Sequence, residues 1–288
     1  MQTVSKELYP WKHNFLGLNG LNLNYVDEGQ GPVMLMVHGN PTWSFFYRHL
    51  ISAFSGHFRC VVPDHMGCGF SDKPQDYDYT LENHIQNLTR LVQFLDLKDI
   101  TLVVHDWGGA IGMGLATRFP HLIKRIVILN TAAFTSTDIP KRIALCKAGS
   151  LGEFLVRGLN GFAWPATFMT TKKRLPSLVK QAYLAPYDSW KSRIAVSRFV
   201  QDIPMSEAHP TWKTLKTIED NLTKLKVPKL IVWGGLDFCF NQSFFEKWIS
   251  IYPDAEAHWI ADAGHYVLED APKKAIESIV EFIGKTRS

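Results

Sequence analysis

Long hydrophobic runs are missing from this chain of 288 residues. No stretch approaches the roughly 20 apolar residues of a membrane span, and residues 1–7 hold no apolar leader core, so a cytoplasmic protein is expected. Charge of one sign is missing too. The net charge is +4 and the pI about 8.8, but lysines and arginines are scattered. The densest run, Lys172, Lys173 and Arg174, reads as a solvated helix end and not as a nucleic-acid footprint. Cysteine is scarce: Cys60, Cys68, Cys146 and Cys239 show neither C-x-x-C spacing nor histidines arranged for zinc, and read as reduced, mostly buried hydrophobes. With no phosphate-binding glycine motif, no metal, nucleotide or organic cofactor is expected. Internal repeats and low-complexity segments are absent as well.

Apolar residues make up 46% of the chain and charged ones 20%, the balance of an ordinary globular protein. Aromatic residues reach 12%, with nine tryptophans, so many must line something apolar. Residues 21–27 alternate apolar and polar and predict a half-exposed antiparallel strand, while 33–37 are apolar throughout and predict a strand covered on both faces. Residues 58–63, 100–104 and 125–129 give further strands. Leu81, Ile85, Leu88, Leu91, Val92 and Leu95 keep helical spacing behind Thr80, a possible N-cap. Strands alternating with amphipathic helices predict a largely parallel, doubly wound sheet.

That alternation stops between about 132 and 222, a helical stretch rich in phenylalanine, tryptophan and proline. It resumes with strands at 229–233 and 256–260 and a closing amphipathic helix marked by Ala275, Ile276, Ile279, Val280 and Ile283. The economical division is an α/β core from residues 1–131 and 223–288, with residues 132–222 inserted as a helical cap. Oligomeric state stays open.

The sequence Val-His-Asp-Trp-Gly-Gly at 104–109 joins a strand to a helix-like stretch at 110–118. It has the form of a nucleophile elbow with Asp106 where serine is usual, and Val104 departs from the glycine expected two places earlier. Gly108 and Gly109 give the room a strained turn needs. A helix N-cap aspartate after a buried strand would look similar in isolation. A carboxylate is already ionised at neutral pH, and its productive target is a tetrahedral carbon carrying a leaving group. Partners should follow in chain order at the ends of later strands, and Asp237 and His265 do, just past the strands ending near Trp233 and Ile260. The loop His-Gly-Asn-Pro-Thr-Trp at 38–43 should form the oxyanion side, with backbone amides near Asn40 and Trp107 facing the nucleophile. The Asn40 amide and the Trp107 indole offer two uncharged N–H donors for a departing anion; each could instead only cap a turn or pack.

With Pro-Asp-His-Met-Gly-Cys-Gly-Phe-Ser at 63–71, Ala-Pro-Tyr-Asp-Ser-Trp at 185–190 and Ala-Gly-His-Tyr at 263–266, these motifs resemble the haloalkane dehalogenases of the α/β-hydrolase superfamily. The resemblance spans nearly the whole chain and is weakest across 136–180. It implies an α/β-hydrolase fold: a mostly parallel eight-stranded sheet flanked by helices, with an inserted helical cap. That group places its catalytic acid after the strand before the cap or after the strand following it. The earlier place here reads Leu129, Asn130 and Thr131, so the resemblance makes Asp237 the acid and Asn40 with Trp107 the halide pair. The same subgroup contains or borders β-lactone decarboxylases of olefin biosynthesis.

The expected chemistry is displacement of halide by Asp106 to give an alkyl ester, hydrolysed by water that His265 deprotonates while Asp237 orients it. The expected partners are a small apolar substrate and a halide product. A β-lactone opened by Asp106 to alkene and carbon dioxide is the nearest alternative. An epoxide hydrolase comes next, with Tyr183 and Tyr187 as possible ring-opening acids, though Asn40 argues against it. A fluoroacetate dehalogenase is disfavoured by Trp107, and a non-catalytic binding module by the complete triad. Asp64, Ser71 and Trp43 read as structure, as do Trp164, Phe168 and the 183–190 segment, although Trp164 and Phe168 could line the cavity.

Overall fold

The structure, a computed structural model, describes residues 4–286; residues 1–3, part of the stretch read for a leader, lie outside the described residues. Five short apolar segments supply the middle of the sheet: β3 (Val33–Val37), β4 (Arg59–Pro63), β5 (Ile100–Asp106), β6 (Ile123–Thr131) and β7 (Lys229–Gly234). Alternate residues of a strand face opposite ways. Leu35, Leu102, Ile126 and Ile231 accordingly enter one apolar layer, and Met34, Val103, Val127 and Val232 the other. Burial of both layers is why these strands lack the polar alternation of a half-exposed sheet.

Two amino-terminal strands, β1 (Asn14–Leu18) and β2 (Leu21–Glu28), close one edge, and β8 (Glu256–Ile260) closes the other. The spatial order is β1-β2-β4-β3-β5-β6-β7-β8. Only β1 with β2 and β2 with β4 pair antiparallel; the remaining pairs are parallel. β1 was not anticipated. Its sequence, Asn-Phe-Leu-Gly-Leu, is too short to stand out, yet Leu16 and Leu18 are buried and Phe15 is exposed. Burial of β2 also departs from the half-exposed expectation. Asn24 is fully buried because its side chain donates to Asp64 at 2.8 Å and its backbone N–H to Ser71 Oγ at 2.8 Å. That bonding replaces water.

Helices α1 (Arg48–Phe54), α2 (Leu81–Phe94) and α3 (Trp107–Arg118) flank the sheet. Thr80 does cap α2, accepting from Asn83 N at 3.4 Å. Between β6 and β7 the regular elements are all helical: α4 (Lys141–Cys146), α5 (Gly149–Glu153), a π-turn at Phe154–Gly158, α6 (Ala163–Met169), α7 (Ser177–Leu184), α8 (Ile194–Gln201) and α9 (Pro210–Asn221), ended by a single 3-10 turn. The last of these, α9, turns back beside the sheet and packs on α2 and α3. After β7 come α10 (Gln242–Ile251), the short α11 (Val267–Asp270) and α12 (Pro272–Lys285). Among the described residues, no helix is long and apolar enough to cross a membrane.

Candidate active site

Asp106 ends β5 near the middle of the sheet and immediately precedes α3. Its backbone sits at φ 51° and ψ −130°, a conformation that costs a non-glycine residue about 1–3 kcal/mol and persists only when the surroundings enforce it. Enforcement is visible around it. A Cβ at Gly108 would overlap the Val37 carbonyl, one at Gly109 the Thr131 hydroxyl, and one at Gly39 the Asp106 carboxylate itself. These three glycines let the Asp106 turn, β3 and the first turn of α3 converge. Thr131 also donates its hydroxyl to the Asp106 carbonyl.

The two oxygens of Asp106 meet different surroundings. Oδ1 accepts the Asn40 backbone N–H at 2.5 Å, and the Trp107 backbone N–H also bonds the carboxylate. Oδ2 stands 3.6 Å from His265 Nε2. On the far side of that ring, His265 Nδ1 donates to Asp237 Oδ2 at 2.7 Å. Asp237 is itself fixed by Cys239 N at 2.7 Å, Phe240 N at 3.1 Å and Asn130 Nδ2 at 3.0 Å. Asn130 was noted from the sequence only as a place without a carboxylate. It occupies the end of β6, and its amide spans Asp237 and Gly234, accepting Gly234 N at 2.8 Å.

Burial sets the electrostatics. It pushes the Asp106 carboxyl above the usual carboxylate range, opposed by His265 and the two backbone amides, with Asp237 adding to the rise. Burial works against protonation of His265, but Asp237 and then Asp106 outweigh it and raise the imidazole above its ordinary value. A carboxylate held ready beside an imidazole that favours the charged form is the result.

The loop carrying His265 is held from several sides. His105 Nε2 lies 2.9 Å from the His265 carbonyl, and Tyr266 N donates to Thr170 O at 2.9 Å. Buried Asp270 accepts Gly264 N at 2.7 Å, Lys172 N at 2.7 Å and Lys173 N at 2.8 Å. Arg48 makes a bidentate pair with Glu269, at 2.5 and 2.7 Å, and the Tyr183 hydroxyl donates to the same carboxylate. These partners were not read from the sequence. An acidic pair at Glu269 and Asp270, just after the histidine and in the first turn of a short helix, was the available signal.

A cavity of about 440 Å³ opens over Asp106 and His265 and is walled by apolar side chains, among them Phe134, Leu155, Phe162 and Met169. Asn40 and Trp107 line it with them. One Asn40 amide hydrogen goes to Val196 O at 3.1 Å, leaving a second to donate; its Oδ1 is buried without a partner among the described residues. Tyr183 and Tyr187 are not among the lining residues, and Tyr187 donates to Thr42 O at 3.2 Å, so neither is placed to protonate an opened epoxide. Asp64 is structural: it accepts Ser44 N, Phe70 N and Asn24 Nδ2. Trp43 is buried, donating to Ala182 O at 3.2 Å. Trp164 and Phe168 neither line the cavity nor pack inside the cap; they are 56% and 48% exposed, because α6 turns Pro165 and Met169 inward instead.

An aspartate elbow, a following acid and a late histidine on a mostly parallel sheet define a class of enzyme. Residues 32–272 match the alpha/beta hydrolase fold family, and the chain belongs to it. Within that family it is 48% identical to a cis-3-alkyl-4-alkyloxetan-2-one decarboxylase of Shewanella oneidensis, across 98% of this chain and 91% of that one. It is 29% identical to haloalkane dehalogenase 2 of Mycobacterium bovis, across 98% of both chains. The solved haloalkane dehalogenase of Bradyrhizobium elkani superposes with a TM-score of 0.89 at 23% identity, over 96% of this chain and 98% of that one, a likeness of fold. The motif resemblance to dehalogenases bordered by β-lactone decarboxylases agrees with both groups of relatives.

Proposed function

We propose that this protein opens cis-3,4-dialkyl β-lactones to an alkene and carbon dioxide, using Asp106 as nucleophile, Asp237 and His265 as its partners, and residues 132–222 as a cap over the core. The observation that carries the reading is the Asp106 carboxylate in the wall of an apolar cavity, with Oδ1 held by the Asn40 backbone amide, the Trp107 amide also bonding the carboxylate, and Oδ2 facing His265 Nε2 at 3.6 Å. Such an arrangement suits attack on saturated carbon by Oδ2. The 48% identity to an oxetanone decarboxylase weighs the β-lactone ahead of the haloalkane; the sequence alone had placed them in the other order.

In the proposed sequence Oδ2 forms a bond to the ring carbon C4 while the C4–O bond breaks, leaving a carboxylate on C3. Uncharged N–H donors of Asn40 and Trp107 meet that developing anion. The C3–carboxylate bond then breaks, its electrons form the C3–C4 double bond, and the C4–Oδ2 bond returns its pair to Asp106. Carbon dioxide leaves and no water is consumed. Inversion at C4 followed by anti elimination turns a cis lactone into a cis alkene. His265 and Asp237 hold the carboxylate in place and balance its charge, with no base required.

A second reading, haloalkane hydrolysis, is favoured by the same two neutral donors and by the His265 ring beside Oδ2. Here the alkyl ester stays until water, deprotonated by His265, attacks its carbonyl. Both routes predict an alkyl-aspartate. They part at the next step, which decides the experiment: turnover in heavy-oxygen water of a cis dialkyl β-lactone and, separately, a bromoalkane. Equal amounts of cis alkene and carbon dioxide with no label in Asp106 are expected from the lactone. A β-hydroxy acid in place of alkene, or an unreacted lactone beside released bromide with labelled Asp106, would overturn the first reading in favour of the second.

A further inference from the structure

The cap carries an apolar surface that the active site does not use. Leu151, Phe154, Trp164, Phe168 and Leu178 are each about half exposed. Leu145 and Leu159 are also more than half exposed and at the same time line the cavity, so they mark its mouth. Parts of it adjoin: the Trp164 and Phe168 rings lie 5.0 Å apart, and Arg142 reaches Met169 Sδ at 3.5 Å, tying α4 to the end of α6. Monomeric proteins rarely leave so many large apolar side chains together without an occupant for them.

Charge says what the occupant is. Residues 141–180 contain eight lysines and arginines and a single acidic residue, Glu153, a net +7 in a chain whose total is +4. Glu153 is already paired with Arg157 at 2.5 Å. Lys141, Arg142, Lys172 and Arg174 are exposed around the apolar residues. Apolar side chains flanked by cations at the rim of an apolar cavity match the boundary of an anionic bilayer, where acyl chains lie beneath negative headgroups.

We infer that the α4–α6 face of the cap docks reversibly on anionic lipid bilayers, setting the cavity mouth against the acyl layer. Docking stands on the surface alone; that an apolar substrate passes directly from bilayer to cavity rests on the proposed function. Roughly 1 kcal/mol per cation near an anionic surface is the scale, screened by salt within a Debye length.

The test is co-flotation of the full chain with vesicles of pure phosphatidylcholine or of phosphatidylcholine with phosphatidylglycerol. Binding to the anionic vesicles is expected to be at least roughly tenfold tighter and to fall with added salt. The double variants Trp164→Ser/Phe168→Ser and Lys141→Glu/Arg174→Glu should each lose roughly tenfold or more of it, while turnover of a water-soluble short-chain bromoalkane or lactone stays at the wild-type rate. Those positions do not line the cavity, and vesicle binding is read separately from turnover, so failure of either idea is distinguishable. Protein that stays with buffer on anionic vesicles, variants that bind like wild type, or a concentration-dependent dimer that only the wild type forms without binding lipid would each overturn the assignment.

Discussion

The sheet and the helices above it treat polarity in opposite ways. At the strand ends and just beyond them, His38, Asp64, Asn130, Asp237 and Asp270 are buried and bonded to neighbours. Each bond fixes a loop at a strand end. Along α4–α6, large apolar side chains stand in solvent and the cations around them are exposed. The difference teaches where precision is kept: reacting atoms need positions held to fractions of an ångström, whereas the wall of an apolar cavity needs only shape and apolar character. One region is therefore sensitive to the loss of single polar atoms, and the other to bulk and charge.

The sharpest way to break that contrast is at Asp106 and His265. Asp106→Ala should lower turnover of lactone and bromoalkane alike by on the order of 10⁴-fold or more, since either route starts from its oxygen. His265→Ala should separate them. Bromoalkane turnover should fall by about 10²–10⁴-fold with an alkyl ester trapped on Asp106, visible as added mass, while alkene release from lactone, which needs no base, falls less. The pH profiles should divide likewise. His265 is raised above its ordinary 6.5, so bromide release is lost as pH falls through a value above 6.5, where the imidazole takes up a proton and ceases to be a base. Alkene release persists below that point until Asp106 itself protonates. Identical losses and identical acid limbs for both substrates would mean that His265 acts as a base in each.

How much of this was legible beforehand follows from which interactions leave a local signature. That Asp106, Asp237 and His265 would come together was readable because each sits past a strand end inside a short pattern with glycine neighbours, and the five central strands were readable from their apolar runs. β1 was not, since an edge strand of five residues has too few positions to show a period. Asn130 and Asp270 were not, because their partners are 107 and 98 positions away in the chain. The outward turn of Trp164 could not be read either: an aromatic residue on a helix carries no mark of whether its face meets a wall or solvent.

Asp270 joins the two regions and offers the next test. Its carboxylate accepts Gly264 N beside His265 and Lys172 N and Lys173 N in the stretch between α6 and α7. Asp270→Ala leaves three N–H groups without their acceptor and should cost about 2–4 kcal/mol, read by denaturant unfolding. If the bond to Gly264 positions His265, bromide release should fall further than alkene release in the folded fraction, with Asp270→Asn partly restoring both stability and turnover. Stability loss with an unchanged ratio of the two activities would leave Asp270 as a structural bolt.

The smallest effect lies at His84 of α2. His84 is buried with both ring nitrogens lacking partners among the described residues, and its ring stacks on Phe199 at 4.4 Å. Burial, and then His65, hold its pKa well below 6.5. The unfolded chain therefore binds a proton here below about pH 6.5 while the folded protein does not, and stability falls with pH by about 1.4 kcal/mol per unit for this one group. Replacing it with phenylalanine keeps the stack and removes the titration. His84→Phe should then reduce the slope of unfolding free energy between about pH 6 and 4 by up to that amount, with little change in turnover at neutral pH. An unaltered slope would mean that His84 is protonated in the folded state, which its apolar surroundings argue against.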